Sequence, residues 1–227
     1  MTSLHRALAA VRQRIAAACA RADRDPGSVR LVAVTKTVPA TRVLEALAAG
    51  QDLFGENRVQ EALAKIPEVG PGAHWHLVGH LQKNKAKHAV GAFALIHSVD
   101  DLDLAREIAK RAATAGVVQP VLVQVNLSLE GTKTGAEPAA AIALVEAVHA
   151  LSNVEVRGLM TIPPPAEDPE SSRPWFRRLR DLRDDAAKRT GLALTELSMG
   201  MTDDFEVAIE EGATIVRIGR AIFGERR

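Results

Sequence analysis

Three short stretches of this chain carry residue types suited to chemistry on carbonyl compounds and phosphates. Lys36 closes LVAVTK (residues 31–36), an otherwise apolar, strand-like run. SMGMTDD (198–204) and RIGRAIFG (217–224) each set a glycine, Gly200 and Gly219, just ahead of a helix-like run. A primary amine held among apolar neighbours loses part of its preference for the charged form, and the neutral amine attacks a carbonyl to give a Schiff base. For a lone lysine the alternative is a stem packed on the core with its ammonium in water. Glycines just past strands let backbone N–H groups approach an anion closely, and the Ser198 hydroxyl is a further candidate donor. Either glycine taken alone is equally consistent with a simple turn.

The elements that must position these residues alternate between strand and helix. Leu4, Leu8, Val11, Ile15, Cys19 and Ala22 recur at helical spacing, which predicts a first helix over 3–23. Strand-like runs follow at 31–36, 51–57, 74–79, 93–99, 120–127, 154–162, 192–200 and 213–219. Between them the pattern predicts a helix opened by Pro39, one over 58–65 ending ahead of Pro67, and a basic segment at 83–88. Further helices are expected over 101–115, capped by Asp100, over 138–151, around Trp175 to Ala186, and over 204–211. Glycine-containing EGTKTG (130–135) reads as a loop. Eight strands alternating with helices and no linker-like break predict a single domain over 1–227, an α/β chain folded as one (β/α)8 TIM barrel with an extra N-terminal helix. VTKTVP after the first strand holds no glycine, which argues against a dinucleotide-binding sheet.

In a closed barrel the first strand lies beside the eighth, so the amine and the glycine loops become neighbours. Pyridoxal 5'-phosphate (PLP) carries an aldehyde and a phosphate on one ring and matches that pair better than a plain sugar phosphate. Arg217, two residues before Gly219, would face the pyridine nitrogen. A guanidinium cannot accept a proton, so it leaves that nitrogen unprotonated and weakens the ring as an electron sink. The alternative for Arg217 is a salt-bridge residue.

The residues that carry this reading also carry a resemblance. VAVTK with Lys36, FGENRVQE (54–61), WHLVGHLQKNK (75–85), VNLSLEGTKTG (125–135), GLMTIPP (158–164), LSMGMTDDFE (197–206) and VRIGRAIFG (216–224) stand in one order over nearly the whole chain. In these blocks the sequence resembles the YggS/PROSC-type PLP homeostasis proteins, whose fold is similar to the barrel domain of alanine racemase. The resemblance implies that Lys36 forms the Schiff base with PLP, that Asn57 lies near the cofactor, that Ser198, Gly200 and Gly219 hold its phosphate, and that Arg217 faces the pyridine nitrogen. Three positions depart from the family pattern: Arg58 replaces a tyrosine, Thr202 a serine, and Arg220 a small hydroxyl residue after RIG. At Arg220 either the backbone amide alone binds phosphate or the arginine adds its own charge.

Racemisation needs a base on each face of the substrate, and the chain has no tyrosine to serve as the second. The expected function is therefore a PLP carrier that maintains intracellular PLP (vitamin B6) homeostasis, with PLP-requiring apoenzymes as possible recipients. The alternatives are a PLP-dependent amino-acid racemase and a PLP-independent Schiff-base aldolase. The net charge of +1 gives no polyanion signal, and Asp181, Asp184 and Asp185 interleave with the arginines at 173–189 as on a solvated helix face. Nucleic acid is thus not an expected partner. His74, His76, His80 and His88 have no acidic or thiol partner at a ligand-like spacing, so no metal is expected. With one cysteine, no apolar run near the roughly 18 residues that span a bilayer, and arginines interrupting the first helix, the chain reads as soluble and cytoplasmic; a monomer is the expected state.

Overall fold

A computed structural model of the chain describes residues 2–128, 134–165 and 167–224. Eight parallel strands close into a barrel in chain order: β1 (Arg30–Val34), β2 (Leu53–Glu56), β3 (His74–Leu77), β4 (Leu95–Val99), β5 (Gln119–Gln124), β6 (Val154–Met160), β7 (Glu196–Ser198) and β8 (Ile215–Ile218), with β8 paired to β1. The helices are α1 (Ser3–Arg21), α2 (Ala40–Ala48), α3 (Val59–Val69), α4 (Ala86–Ala89), α5 (Leu102–Ala115), α6 (Pro138–His149), α7 (Arg173–Thr190), α8 (Phe205–Glu210) and α9 (Arg220–Phe223). The expected (β/α)8 barrel is what forms, and α1 is the expected addition to it.

Strand side chains alternate between two faces, and here both faces are apolar because both are covered. Val32, Val78, Leu95, Leu122, Met160 and Ile215 fill the barrel interior, with Val34 and Leu53 packed on them. The outward residues, among them Ala33, Phe54, Trp75, Ile96 and Val216, join the core beneath the helices. Helix α1 lies outside this repeat. Its buried stripe of Leu4, Leu8, Val11 and Ile15 holds it against the neighbouring helices α8, α9 and α2, each such side chain contributing about 1.5–3 kcal/mol.

Several boundaries differ from the sequence pattern. Strand β1 ends at Val34, which leaves Lys36 in the turn above the strand. Helix α3 runs through Pro67 to Val69, and the Gly70 N–H closes it on the Ile66 carbonyl at 3.0 Å. A proline in the last turn removes one ladder bond without preventing the final residues from joining. Asp101, not Asp100, caps α5: its carboxylate accepts the Leu104 N–H at 2.7 Å. Strand β7 shortens to three residues. Residues 130–133 of the EGTKTG loop lie outside the described residues.

Candidate functional site

The inward row of β1, Val32 then Val34, reaches Lys36 two residues further on, at the carboxyl end of the barrel. Lys36 is half-buried. Because β1 stands between β2 and β8, its turn has Asn57 on one side and Gly219 on the other. The Thr35 N–H donates to the Gly55 carbonyl at 2.9 Å. On the far side, a Cβ at Gly219 would stand 3.1 Å from the Val34 carbonyl oxygen, so the loop after β8 lies directly against the end of β1. Asn57 is half-buried, and its backbone is backed by Gly79, where a Cβ would come within 2.3 Å of the Asn57 oxygen. Only a glycine lets the loop after β3 approach so closely.

Arg217 projects from β8 with 4 % of its surface exposed. Its Nη1 donates to Ser198 Oγ at 2.6 Å and its Nη2 to the Thr161 carbonyl at 2.9 Å. Burial lowers the guanidinium to about 10, with the Asp204 carboxylate opposing that shift, so it stays cationic at neutral pH. The Ser198 side chain, expected along the phosphate loop, is fully buried against Arg217 instead. Its Oγ also lies 2.8 Å from His97 Nδ1, and His97 Nε2 lies 2.9 Å from His76 Nδ1. The Ser198 hydroxyl accepts from Arg217, and the direction of the bonds from it through His97 to His76 follows the tautomer of His97: with Nε2 protonated, Ser198 donates to Nδ1 and His97 donates to His76. Desolvation by burial holds both imidazoles neutral, His76 at about 3 and His97 well below its ordinary value.

The loops after β7 and β8 are tied together. The Arg217 N–H donates to the Gly200 carbonyl at 3.0 Å. Gly200 has φ +92°, and a Cβ there would lie 2.6 Å from the Ala208 side chain, so this turn requires glycine for both conformation and space. Asp204 opens α8: its carboxylate accepts the Met201 N–H at 2.7 Å and the Ser172 hydroxyl at 3.1 Å. Arg220 reaches across from the loop after β8 to Asp203 in the loop after β7, Nη2 to Oδ1 at 2.6 Å. The arginine that departs from the family pattern thus clasps the two glycine loops to each other. Arg58, the first departure, is exposed at the start of α3, and Thr202 is half-buried in the turn before α8.

Lys36, Asn57, Gly200, Arg217, Gly219 and Arg220 are therefore gathered at one end of the barrel, with Ser198 directly behind Arg217. An amine, a buried fixed cation and two closely approaching glycine loops fit a ligand that carries a carbonyl and an anion on one rigid frame. Sequence reasoning missed His97 and weighed His76 only as a metal ligand, although a histidine at an inward position of an apolar strand is a legible signal. It also missed a cluster behind the barrel wall made by Glu56, Lys65 and Glu61, whose only sequence trace is the Glu61–Lys65 spacing of one helical turn. His74 and His76 lie at the opposite end of the barrel from Lys36. Among the described residues no three His, Cys, Asp or Glu side chains come together as a metal-ligand set.

Comparison with known proteins agrees with this geometry. The family model described as alanine racemase, N-terminal domain, matches residues 7–227. A pyridoxal phosphate homeostasis protein of Aquifex aeolicus is 50% identical over 221 residues, covering 97% of this chain and 97% of that protein. PipY of Synechococcus elongatus, solved with PLP bound, superposes with a TM-score of 0.84 at 40% identity and covers 94% of this chain and 100% of its own. An alanine racemase of Clostridium difficile shares the fold alone, with a TM-score of 0.75 at 15% identity over 98% of this chain and 56% of the racemase. By similarity over its full length, this chain belongs to the pyridoxal phosphate homeostasis protein family, built on the alanine racemase N-terminal-domain barrel.

Proposed function

We propose that this chain binds PLP at the carboxyl end of its barrel, with Lys36 as the attachment residue, and maintains intracellular PLP (vitamin B6) homeostasis without efficient turnover. The observation that carries the reading is the juxtaposition of Lys36 on β1 with buried Arg217 and the Gly219 loop on adjacent β8. When bound, PLP supplies an aldehyde that condenses with a primary amine with loss of one water, and a phosphate that the loop amides at Gly200 and Gly219 can receive. Arg217 holds the place of the pyridine nitrogen's partner, and Ser198 acts through it by anchoring Nη1. Asn57 flanks the ring, and Arg220 keeps the two loops closed around the phosphate through Asp203.

The same residues argue for holding over turnover. A guanidinium has no proton-accepting atom to offer the ring nitrogen, so the electron sink is weak. His76 and His97 are neutral and committed to each other and to Ser198, so neither imidazole is placed to serve as a second base beside Lys36. PLP-requiring apoenzymes are the recipients this reading calls for, and the protein acts as a cytoplasmic monomer; among the described residues no helix is long and apolar enough to cross a membrane.

The test is a visible absorption spectrum of purified wild type and Lys36→Ala, followed by borohydride reduction and peptide mass mapping. A yellow wild type whose reduced adduct maps to Lys36, with the colour altered in the variant, supports the reading. A wild type that stays colourless after addition of PLP, with no adduct at Lys36, overturns it. A fast racemase rate in the loaded protein would overturn the holding role and favour the enzyme.

A further inference from the structure

Behind the barrel wall, beneath α3, a second lysine grips the turn that carries Lys36. Lys65 of α3 is 8 % exposed and directs its ammonium at three acceptors: the Thr35 carbonyl at 2.7 Å, Glu56 Oε1 at 2.7 Å and Glu61 Oε1 at 3.0 Å. Glu61 Oε1 also accepts the N–H of Thr37, and Glu56 Oε1 accepts the Thr35 hydroxyl at 2.6 Å. The peptide unit before the Lys36 α-carbon is thus held through its carbonyl, and the unit after it through its N–H. Fixing both peptide planes around one α-carbon fixes the direction of its Cα–Cβ bond, from which the side chain departs.

The held conformation is a costly one. Thr37 has φ +64°, a left-handed geometry that is unfavourable by about 1–3 kcal/mol and unusual for a β-branched residue. Such a turn persists only where its surroundings over-determine it. Burying Lys65 and the Glu56 carboxylate is itself unfavourable unless each is paired and hydrogen-bonded, and Glu61 adds a half-buried second carboxylate. This cluster leaves Glu56 Oε2 without a partner, so α3 is not simply completing an optimal network. Its hydrogen bonds converge on residues 35 and 37, on either side of the candidate attachment residue.

We propose that Lys65, acting with Glu61 and Glu56, is the positioning residue for Lys36: it holds the turn that aims the amine into the barrel mouth before any ligand arrives. This rests on the reading of Lys36 as the PLP attachment residue. Lys65 touches no ligand and acts through the backbone alone. With its three N–H groups directed at acceptors, it is also poorly suited to compete as a nucleophile.

The test compares wild type, Lys65→Met and Lys65→Met/Thr37→Gly in two titrations, one with PLP and one with pyridoxamine 5'-phosphate, which has the ring and phosphate but no aldehyde. PLP attachment is read by absorbance and by borohydride trapping mapped to Lys36, pyridoxamine phosphate binding by calorimetry, and folding by thermal unfolding. The expected result is about a tenfold loss of PLP affinity and trapping rate in Lys65→Met, with pyridoxamine phosphate affinity within about twofold of wild type. Thr37→Gly removes the cost of the left-handed turn and recovers part of the loss. If Lys65→Met does not fold, Glu61→Gln is substituted for it, and the same split at smaller size is expected. Wild-type-like PLP attachment in a folded variant, or a parallel loss of both compounds, overturns the positioning role. A wild type that binds pyridoxamine phosphate but never traps PLP at Lys36, or that binds neither, overturns the underlying reading instead.

Discussion

At the scale of single residues, the site depends on who holds Arg217. A guanidinium with 4 % exposure keeps its charge because the Asp204 carboxylate offsets part of the lowering that burial imposes, and Ser198 and the Thr161 carbonyl accept its hydrogen bonds. Ser198→Ala removes the acceptor for Arg217 Nη1 and the partner of His97 Nδ1 in one step, in a place water does not reach. We expect a loss of about 1–3 kcal/mol in urea unfolding, and Ser198→Thr, which keeps the hydroxyl, to lose less. A variant as stable as wild type would show that the hydroxyl anchors nothing. The residue types at this site were legible one by one: the lysine at a strand's end, the paired glycine loops, the arginine ahead of Gly219. The partner of Ser198 was not, because a serine beside a glycine in a loop-like stretch has the same local signature whether its hydroxyl turns to the loop or to the barrel interior.

At the scale of elements, α7 is tied to α8 through Glu210, which accepts from Arg173 at 2.7 Å, and most extensively through Glu211. Glu211, which follows α8, is nearly buried and accepts from Arg173, Arg177 and Arg180 on α7 at 3.0, 3.0 and 3.1 Å. Burial alone would raise this carboxyl, but the hydrogen bonds from Arg177 and Arg173 outweigh it and hold it below its ordinary range. A depressed carboxyl contributes stability that is present above its unfolded value and lost as pH falls through the folded one. Glu211→Ala should therefore cost about 2–3 kcal/mol at neutral pH, discounted because the arginines are partly in water, and the cost should shrink in acid. Chemical denaturation of the variant and wild type at neutral and acidic pH checks both parts. The cluster explains the arginine-rich face of α7 as docking onto α8 as well as solvated charge. The acid-and-base interleaving showed that the face is not a simple basic patch, while the target carboxylate, more than thirty residues downstream, was beyond any local pattern.

At the scale of the whole molecule, two buried neutral histidines make the barrel sensitive to acid. Unfolding exposes His76 and His97 to water, where they take up protons near their ordinary value, whereas burial holds His76 at about 3 and His97 well below normal. The unfolded chain then binds more protons, so stability falls as pH drops below about 6.5, by roughly 1.4 kcal/mol per pH unit for each histidine. Urea midpoints from pH 7 to 5 should show this slope, and His76→Phe should remove about half of it; a slope unchanged in that variant would exclude His76 as a source. The order of strands and helices, the closure implied by eight alternations, and the identity of the amine and the glycine loops were determined by the sequence, since periodicity, glycine placement and a polar residue ending an apolar run are local properties. What only the tertiary structure decided are the contacts made by closing the ring and laying helices on its wall. Closure brings Arg217, Ser198, His97 and His76 into one buried chain, and α3 brings Lys65 and Glu61 to the turn of Lys36. Each partner comes from a different strand or layer, and which inward or outward side chains meet is set by strand register and packing distance, neither of which any single stretch of residues encodes.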